Sequence, residues 1–267
     1  MSIKQENLRN RLKETGGACI AFSAGIDSSF LLESANRALN GNVLAVIAKG
    51  SMVPESDVSY ARQFCEERKI RLVEIVADEY SIEAFSLNHK DRCYHCKLNI
   101  FKKLQEVAAQ NGFSSVMEGT NADDVADYRP GRRALTELGI LSPLLECGYN
   151  KKEIREEARE IGIDIWNKPS AACLATRVPT GERITQELLK KIELSEEALK
   201  SLGFNQVRVR AHGDLARIES DPEAIAKLLL PETRKAISEA LKKAGFRYVS
   251  VDLDGYRTGN MNELLLK

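Results

Sequence analysis

Small polar residues interrupt an apolar pattern in the stretch AFSAGIDSSFLL, residues 21–32. The apolar residues before Ser23 predict a strand, and those after the interruption predict a helix. A helix N-terminus carries about half a positive charge and free backbone N–H groups, so it binds anions. Gly25 permits a tight turn there, and the hydroxyls of Ser28 and Ser29 can donate hydrogen bonds to phosphate oxygens. The stretch predicts a phosphate loop, the alternative being ordinary helix capping by serine and aspartate.

This loop contains no lysine, whereas the loop G-x-x-x-x-G-K-[ST] uses its lysine on the β- and γ-phosphates. A hydroxyl-lined loop without that cation is suited to binding pyrophosphate as a leaving group. The α-phosphorus then stays open to attack by a substrate oxygen. Asp27 would repel a bare phosphate, so its carboxylate suits either an N-cap or a Mg²⁺ ion. The loop therefore predicts adenylylation of a substrate by ATP.

The segment EGTNADD, residues 118–124, supports a nucleotide site. Gly119 and Thr120 end a predicted strand, and the two aspartates that follow could reach a Mg²⁺ ion. A turn followed by a capped helix explains the same residues equally well. We take Asp124 as the candidate Mg²⁺ ligand.

Three of the six cysteines have a spacing that suits chemistry. Cys93 and Cys96 form a C-x₂-C pair, and Cys173 lies in the segment KPSAACLATR. Structural zinc normally takes four ligands, but His95 lies between the paired cysteines, where its side chain would struggle to converge on the same ion. Three thiolates suit a [4Fe–4S] cluster with one iron open to a non-protein ligand, the alternative being unrelated buried thiols. ATP activation beside such a sulfur source implies thiolation.

Apolar β-like runs alternate with helical patterns over the first 180 residues. This alternation predicts an α/β fold with a doubly wound parallel sheet. Ligands of such sheets bind beyond the carboxyl ends of the strands, where Ser23, Lys49 and Gly119 lie; for Lys49 the alternative is a solvated side chain. We predict a phosphate-loop domain at 1–182 and a small α+β substrate-binding or oligomerisation domain at 183–267. The predicted strands are 18–23, 43–49, 71–77, 115–120, 206–212, 215–220 and 248–254, and the main predicted helices are 27–40, 54–69, 94–111, 151–162, 184–204 and 231–244.

Composition limits the class of protein. The 267 residues carry 39 basic and 39 acidic side chains, and this neutral balance argues against a dedicated nucleic-acid binder. No apolar run is long enough for a membrane span, and the N-terminus MSIKQENLRN is unlike a signal peptide, so we predict a cytoplasmic protein without membrane attachment. Cys19 and Cys65 lie in apolar patterns and are predicted core residues, while Cys147 has no predicted role.

The loop resembles the PP-loop signature S-G-G-x-D-S of N-type ATP pyrophosphatases, with Ala24 in place of the first glycine. The segments CYHCK, NADDVADYRPG, KPSAACLATRVPTGERIT and VRVRAHGDLARIE, in this order, resemble the ATP-dependent sacrificial sulfur transferases of the LarE family over nearly the whole chain. The resemblance implies that the chain adenylylates the carboxylates of pyridinium-3,5-biscarboxylic acid mononucleotide and converts them to thiocarboxylates. This chemistry builds the nickel-pincer nucleotide of lactate racemase.

The resembled family has two sulfur chemistries. In one, a lone cysteine at the position of Cys173 gives up its sulfur and becomes dehydroalanine. In the other, three cysteines hold a [4Fe–4S] cluster that carries an extra sulfide on its open iron, which allows turnover. Because Cys93 and Cys96 accompany Cys173, the resemblance favours the cluster version, with Cys173 as a ligand. It also implies ATP with Mg²⁺, a sulfide donor, and a symmetric homo-oligomer such as a hexamer.

The resemblance assigns further residues. It places Arg208 and Arg210 on the substrate phosphate through bidentate hydrogen bonds, with Glu196 and Glu219 nearby, and it places Arg177 on the ATP phosphates or the adenylate. From the residues alone, Arg208 and Arg210 are more typical of surface charge, and Arg177 is typical of an ordinary loop arginine. Tyr128 and Arg129 belong to a family motif but have no assigned role.

Three other functions fit parts of this pattern. A cluster-dependent PP-loop tRNA thiolase should carry a basic surface or an RNA-binding module, and the neutral net charge of this chain argues against that function. An amide-forming PP-loop synthetase, such as an NAD or GMP synthetase, would not need the three cysteines. A nucleotide- and cluster-binding sensor would release no pyrophosphate with any acceptor.

Overall fold

The computed structural model describes residues 2–125, 130–169 and 172–257. Contacts divide the chain into two compact units. The first comprises Met1–Glu79 and Cys93–Ala171, and the second comprises Tyr80–Arg92 and Ala172–Lys267. The second unit therefore begins before residue 182, and it includes residues 80–92, which belong to the first of the two domains expected from the sequence.

The first unit contains a four-stranded sheet in the order β3-β2-β1-β4, with all neighbouring strands parallel. Its carboxyl ends therefore meet at one edge of the sheet. The strands of the chain are β1 (Ala18–Ala21), β2 (Val43–Lys49), β3 (Arg71–Val76), β4 (Val116–Met117), β5 (Val207–His212), β6 (Leu215–Ser220) and β7 (Tyr248–Val251). The helices are α1 (Ile3–Lys13), α2 (Ile26–Ala38), α3 (Glu55–Glu67), α4 (Glu83–Ser86), α5 (Arg92–Gln110), α6 (Gly131–Glu137), α7 (Pro143–Glu146), α8 (Lys151–Glu160), α9 (Gln186–Ser201), α10 (Pro222–Leu228) and α11 (Pro231–Lys243).

Helices cover both faces of this sheet. On one face, buried side chains of α1, α2, α3 and α8 pack on the strands, and the rings of Phe22 and Phe64 lie 5.3 Å apart. On the other face, Phe101 and Leu104 of α5 and Leu135 of α6 pack against Leu44 and its neighbours. Strands that are buried on both faces need continuous apolar sequences, which is what β1 and β2 have. The predicted α/β class with a parallel sheet is confirmed.

The second unit contains a mixed three-stranded sheet in the order β5-β6-β7. Strands β5 and β6 form an antiparallel hairpin, and Gly213 at its turn has a φ of +58°, a conformation that favours glycine. Strand β7 pairs parallel with β6, and Leu189, Ile192 and Leu199 of α9 are fully buried. The hairpin predicted about the sequence HGD is confirmed. Among the residues described, no helix is both long and apolar enough to cross a membrane.

Candidate active site

The connection from β1 to α2 brings three hydroxyl side chains to the start of the helix. Gly25 is the N-cap residue of α2. The hydroxyls of Ser23 and Ser28 lie 3.0 Å apart, and the Ser28 hydroxyl donates to the carbonyl of Gly25 at 3.0 Å. The Ser29 hydroxyl donates to the same carbonyl at 2.9 Å. Hydroxyls and the first-turn N–H groups of α2 therefore lie together, as an anion site requires.

Ala24 keeps a backbone conformation that normally requires glycine. Its φ is +56°, a left-handed value that costs a residue with a Cβ atom about 1–2 kcal/mol. The Lys168 ammonium donates to the Ala24 carbonyl at 3.3 Å and pairs with the Asp57 carboxylate at 2.8 Å. The alanine therefore occupies the glycine position of the loop signature with a glycine-like backbone, and Lys168 contributes to holding it there.

Gly119 packs directly against the first turn of α2. A Cβ atom on Gly119 would lie 2.9 Å from the Ser28 nitrogen and 3.1 Å from the Asp27 carbonyl carbon. The next residue, Thr120, donates its hydroxyl to the buried Glu118 carboxylate at 2.7 Å. The end of β4 and the phosphate loop therefore form one continuous surface.

Replacing Gly119 with alanine should disrupt this surface. The added Cβ would meet backbone atoms that cannot rotate away, and such overpacking costs about 1–3 kcal/mol of folding free energy. The matched control is Gly25→Ala, because a Cβ there meets nothing nearer than 3.5 Å and the residue has a φ of −90°; it should cost at most about 1 kcal/mol, as a weaker N-cap. We expect a lower thermal unfolding temperature for Gly119→Ala than for Gly25→Ala, and the reverse order would show that the close approach does not exist.

The carboxylate of Asp27 forms an ion pair with the ammonium of Lys151, the first residue of α8. The second carboxylate oxygen of Asp27, Oδ1, is buried and has no hydrogen-bond partner. The backbone N–H of Lys151 donates to the Asp123 carboxylate at 2.8 Å. Asp124 lies in the same short 3₁₀ helix as Asp123, and its Oδ2 accepts the N–H of Asn121 at 3.1 Å. The Mg²⁺ role of Asp124 stays a prediction.

Lys49 lies at the end of β2, and its ammonium pairs with Glu74 of β3 at 2.7 Å. Arg62 binds the same carboxylate at 2.6 Å. Hydrogen bonds from Arg62 and then Lys49 hold the pKa of Glu74 at about 2. The contacts of Lys49 are therefore with a carboxylate, and its role toward a nucleotide stays a prediction.

Cys93 and Cys96 lie one turn apart at the start of α5. Cys93 is exposed, whereas Cys96 is buried with its Sγ 3.7 Å from the Sδ of Met52. Tyr94 orients this turn: its hydroxyl donates to Glu137 at 2.7 Å, and the Arg133 guanidinium lies 3.7 Å from its ring centroid. The C-x₂-C pair therefore has one open thiol and one covered thiol.

Cys173 is exposed in the second unit, directly before the 3₁₀ helix Leu174–Arg177. The described residues contain no group of three or more His, Cys, Asp or Glu side chains that could hold a metal ion. Because Cys93 and Cys173 belong to different units, a shared cluster stays a prediction. None of the six cysteines forms a disulfide, and burial raises the pKa of Cys19 and of Cys65 to about 12, as expected for core thiols.

Arg177 is a buried residue of the second unit. Its guanidinium binds the Glu196 carboxylate through two hydrogen bonds of 2.8 and 3.1 Å. It also donates to the carbonyls of Ala172 and Cys173 at 2.9 and 3.3 Å. Within this unit Arg177 therefore holds the backbone at Cys173. Its contact with ATP stays a prediction.

Arg208 and Arg210 are each only 5% exposed, which excludes the surface-charge explanation. Arg210 binds the fully buried Glu219 through hydrogen bonds of 2.7 and 2.9 Å. Arg208 donates to the Val207 carbonyl at 2.8 Å and stacks over the ring of Tyr256 at 5.2 Å. Burial lowers the pKa of Arg208, and the positive charge of Arg177 lowers it further. The binding of substrate phosphate by Arg208 and Arg210 stays a prediction.

No family model matches the chain. Over 268 residues it is 35% identical to the pyridinium-3,5-bisthiocarboxylic acid mononucleotide synthase of Lactiplantibacillus plantarum, a match that covers 100% of this chain and 96% of that protein. The chain belongs to this synthase family. It is also 37% identical to an uncharacterised protein of Synechocystis over 268 residues, 100% of both chains. A weaker match, 27% over 202 residues, is to a component of the glutamine-hydrolysing GMP synthase of Thermoplasma volcanium, and it covers 69% of this chain and 63% of that one.

Two lysines at the phosphate loop of this synthase-family member escaped sequence reasoning. Lys151 reaches Asp27, and Lys168 reaches the Ala24 carbonyl, each from more than a hundred residues away along the chain. A lysine in the first turn of a helix opposes the helix dipole, so its presence at the start of KKEIREEAREIG was a usable signal. Tyr128 and Arg129 lie outside the described residues.

Removing one partner of the buried Arg177–Glu196 pair should destabilise this family member strongly. The two side chains are 3% and 4% exposed, and removing one partner of a buried ion pair costs about 3–5 kcal/mol. Glu196 also accepts the Val209 N–H at 3.1 Å, which adds to the loss in Glu196→Ala. We expect Arg177→Met to lower the urea midpoint of unfolding clearly. The matched control is Arg247→Met, which breaks an exposed pair with Asp214 and should change stability by less than about 1 kcal/mol; equal effects of the two variants would contradict the role given to the buried pair.

Proposed function

We propose that this chain is an ATP-dependent sulfur transferase that adenylylates the carboxylates of pyridinium-3,5-biscarboxylic acid mononucleotide and converts them to thiocarboxylates for nickel-pincer nucleotide biosynthesis. The observation that carries the proposal is the hydroxyl-lined start of α2, where Ser23 and Ser28 meet beside Gly119. The synthase from Lactiplantibacillus plantarum is named for a thiocarboxylate product, and this name supports the choice of substrate.

In the first step, a substrate carboxylate oxygen attacks the α-phosphorus of ATP, and the bond between that phosphorus and the bridging oxygen to the β-phosphate breaks. The N–H groups at the start of α2 and the Ser23 hydroxyl would bind the departing pyrophosphate and stabilise its growing charge. The hydroxyls of Ser28 and Ser29 would join them by exchanging their hydrogen bonds to the Gly25 carbonyl for bonds to phosphate. Gly119 and Thr120 line the adjoining surface. Asp27 and Asp124 would hold Mg²⁺, which neutralises phosphate charge when it is bound.

The substrate phosphate is assigned to the buried arginines of the second unit. Arg208 and Arg210 would bind it, while Glu219 fixes the direction of the Arg210 guanidinium and Glu196 that of Arg177. Arg208 is buried, and it donates a hydrogen bond to the neutral carbonyl of Val207. A phosphate dianion at Arg208 would accept charge-assisted hydrogen bonds, which are roughly twice as strong as those to a neutral acceptor.

In the second step, sulfur attacks the carbonyl carbon of the acyl adenylate, the bond from that carbon to the AMP oxygen breaks, and AMP leaves. Cys93, Cys96 and Cys173 are outside any disulfide, and Cys93 and Cys173 are exposed, which supports their proposed use as thiolate ligands of a [4Fe–4S] cluster. These three residues would hold the cluster, which supplies a bound sulfide to the reaction. The bound sulfide must then be restored by a sulfide donor.

The exposed position of Cys173 also favours a second candidate, the single-turnover reaction. There the Cys173 sulfur displaces AMP from the adenylate, and the bond between its Cβ and Sγ then breaks with loss of the Cα proton. The products are a thiocarboxylate and dehydroalanine at position 173. Arg177 would hold the Cys173 backbone during this elimination.

The test is an oxygen-free reaction of the reconstituted protein with ATP, Mg²⁺, sulfide and the dicarboxylate mononucleotide. We expect pyrophosphate, AMP and a product in which sulfur replaces carboxylate oxygen. A parallel reaction with bulk tRNA tests the thiolase alternative, and thiolated tRNA in place of thiocarboxylate would overturn the proposal. Amide formation from ammonia that persists in a triple Cys→Ser variant would favour the amide-forming alternative.

A further inference from the structure

Lys151 connects the two segments that form the candidate phosphate site. Its ammonium pairs with Asp27 of the phosphate loop, and its backbone N–H binds Asp123 of the segment after β4. As the first residue of α8, it lies where the helix dipole disfavours a positive charge. Its charge is therefore stabilised by the loop rather than by its own helix.

The pair of Lys151 and Asp27 is accessible to a ligand. The two side chains are 24% and 23% exposed, so the charges are not sealed in the core. Asp27 keeps one buried carboxylate oxygen without a hydrogen-bond partner. A carboxylate that is half paired, in the first turn of an anion-binding helix, is poised to exchange its ammonium partner for another cation.

From these contacts we infer that Lys151 supplies the cation that the phosphate loop lacks: it pairs with Asp27 while the site is empty and contacts the β- and γ-phosphate oxygens when ATP and Mg²⁺ are bound. The inference rests on the proposed use of ATP. Such an exchange of partners balances the charges: the Asp27 carboxylate would hold Mg²⁺ when the ion is bound, and the phosphates would bring negative charge to the Lys151 ammonium. Lys168 is the other lysine at the loop, but it binds Asp57 and the Ala24 carbonyl. Lys151 instead pairs with Asp27, the carboxylate that we propose holds Mg²⁺ during the reaction.

The experiment measures binding of ATP with Mg²⁺, and of inorganic pyrophosphate without Mg²⁺, by calorimetry on the full chain. A charge-assisted contact is worth about 1.5–3 kcal/mol, so Lys151→Met should weaken the binding of ATP with Mg²⁺ about 10- to 100-fold. Lys151→Arg should restore most of it. Lys152→Met is the matched control, because Lys152 is the next residue and is 82% exposed, and it should bind as the wild type does.

Removing Lys151 also leaves Asp27 without its ion-pair partner, which could repel phosphate by itself. We therefore compare the single variant Asp27→Asn with the double variant that carries both Asp27→Asn and Lys151→Met. Neither has the Asp27 carboxylate, so its repulsion of phosphate is absent from both. We expect the double variant to bind Mg²⁺-free pyrophosphate at least about 10-fold more weakly than Asp27→Asn, while both bind AMP equally. Equal pyrophosphate binding by these two variants would overturn the inference and leave the proposed function intact, whereas a wild-type chain that binds neither ATP nor pyrophosphate would overturn both.

Discussion

Replacing Cys93 with serine should limit the reaction to at most one thiocarboxylate per chain while pyrophosphate release continues. The proposed adenylylation step uses the loop between β1 and α2, which does not contain Cys93. A serine oxygen is a poor iron ligand, so a three-thiolate cluster would be lost, and turnover with it. The measurement is product per chain by mass spectrometry together with pyrophosphate release in the same reaction.

The matched control for this variant is Cys147→Ser. Cys147 is half-buried and packs against the core of the first unit, and it has no place in the proposed sulfur chemistry. The control should retain about four irons per chain after reconstitution, whereas Cys93→Ser should retain far less. Many turnovers by an iron-free Cys93→Ser protein would contradict the cluster.

Replacing Ser28 with alanine, or Asp27 with alanine, should abolish AMP formation. Ser28 contributes a hydroxyl at the point where the pyrophosphate would be held, and loss of one such donor to a developing charge lowers a rate about 100- to 1,000-fold. Loss of the Asp27 carboxylate would remove both the predicted Mg²⁺ ligand and the partner of Lys151. The measurement is ATP–pyrophosphate exchange, which reports the adenylate step without the sulfur step.

Ser34→Ala provides the matched control for Ser28→Ala, because Ser34 lies further along the same helix. It should exchange pyrophosphate at the wild-type rate. If Ser28→Ala did the same, the loop could not be the pyrophosphate site, and the assignment of the first step would fail.

Strands β1 and β2 could be predicted because their sequences are continuously apolar, and β5 and β6 because apolar and polar residues alternate along them. The bounds of β2 and β6 agree with the predicted 43–49 and 215–220, while β4 is reduced from 115–120 to Val116–Met117. Helix α1 had no clear pattern, since only Leu8 and Leu12 of its eleven residues are buried. An amphipathic pattern this sparse does not distinguish a helix from a polar segment.

The candidate site was only partly predictable. The phosphate loop is local, so its strand, turn and helix follow from neighbouring residues. The burial of Arg208 and Arg210 depends on how α9 and the rest of the second unit pack on β5, which alternation along one strand cannot reveal. Lys151 and Lys168 reach the loop only through the tertiary fold.

The most direct test of the central claim measures the number of thiocarboxylate products per chain and then the mass of the protein by mass spectrometry. The reaction contains the reconstituted protein, ATP, Mg²⁺, the dicarboxylate mononucleotide and excess sulfide, without oxygen. If the cluster supplies the sulfur, we expect several products per chain and a protein whose Cys173 is intact. Product limited to one per chain, with loss of the elements of hydrogen sulfide from residue 173, would contradict the cluster and establish the single-turnover reaction instead.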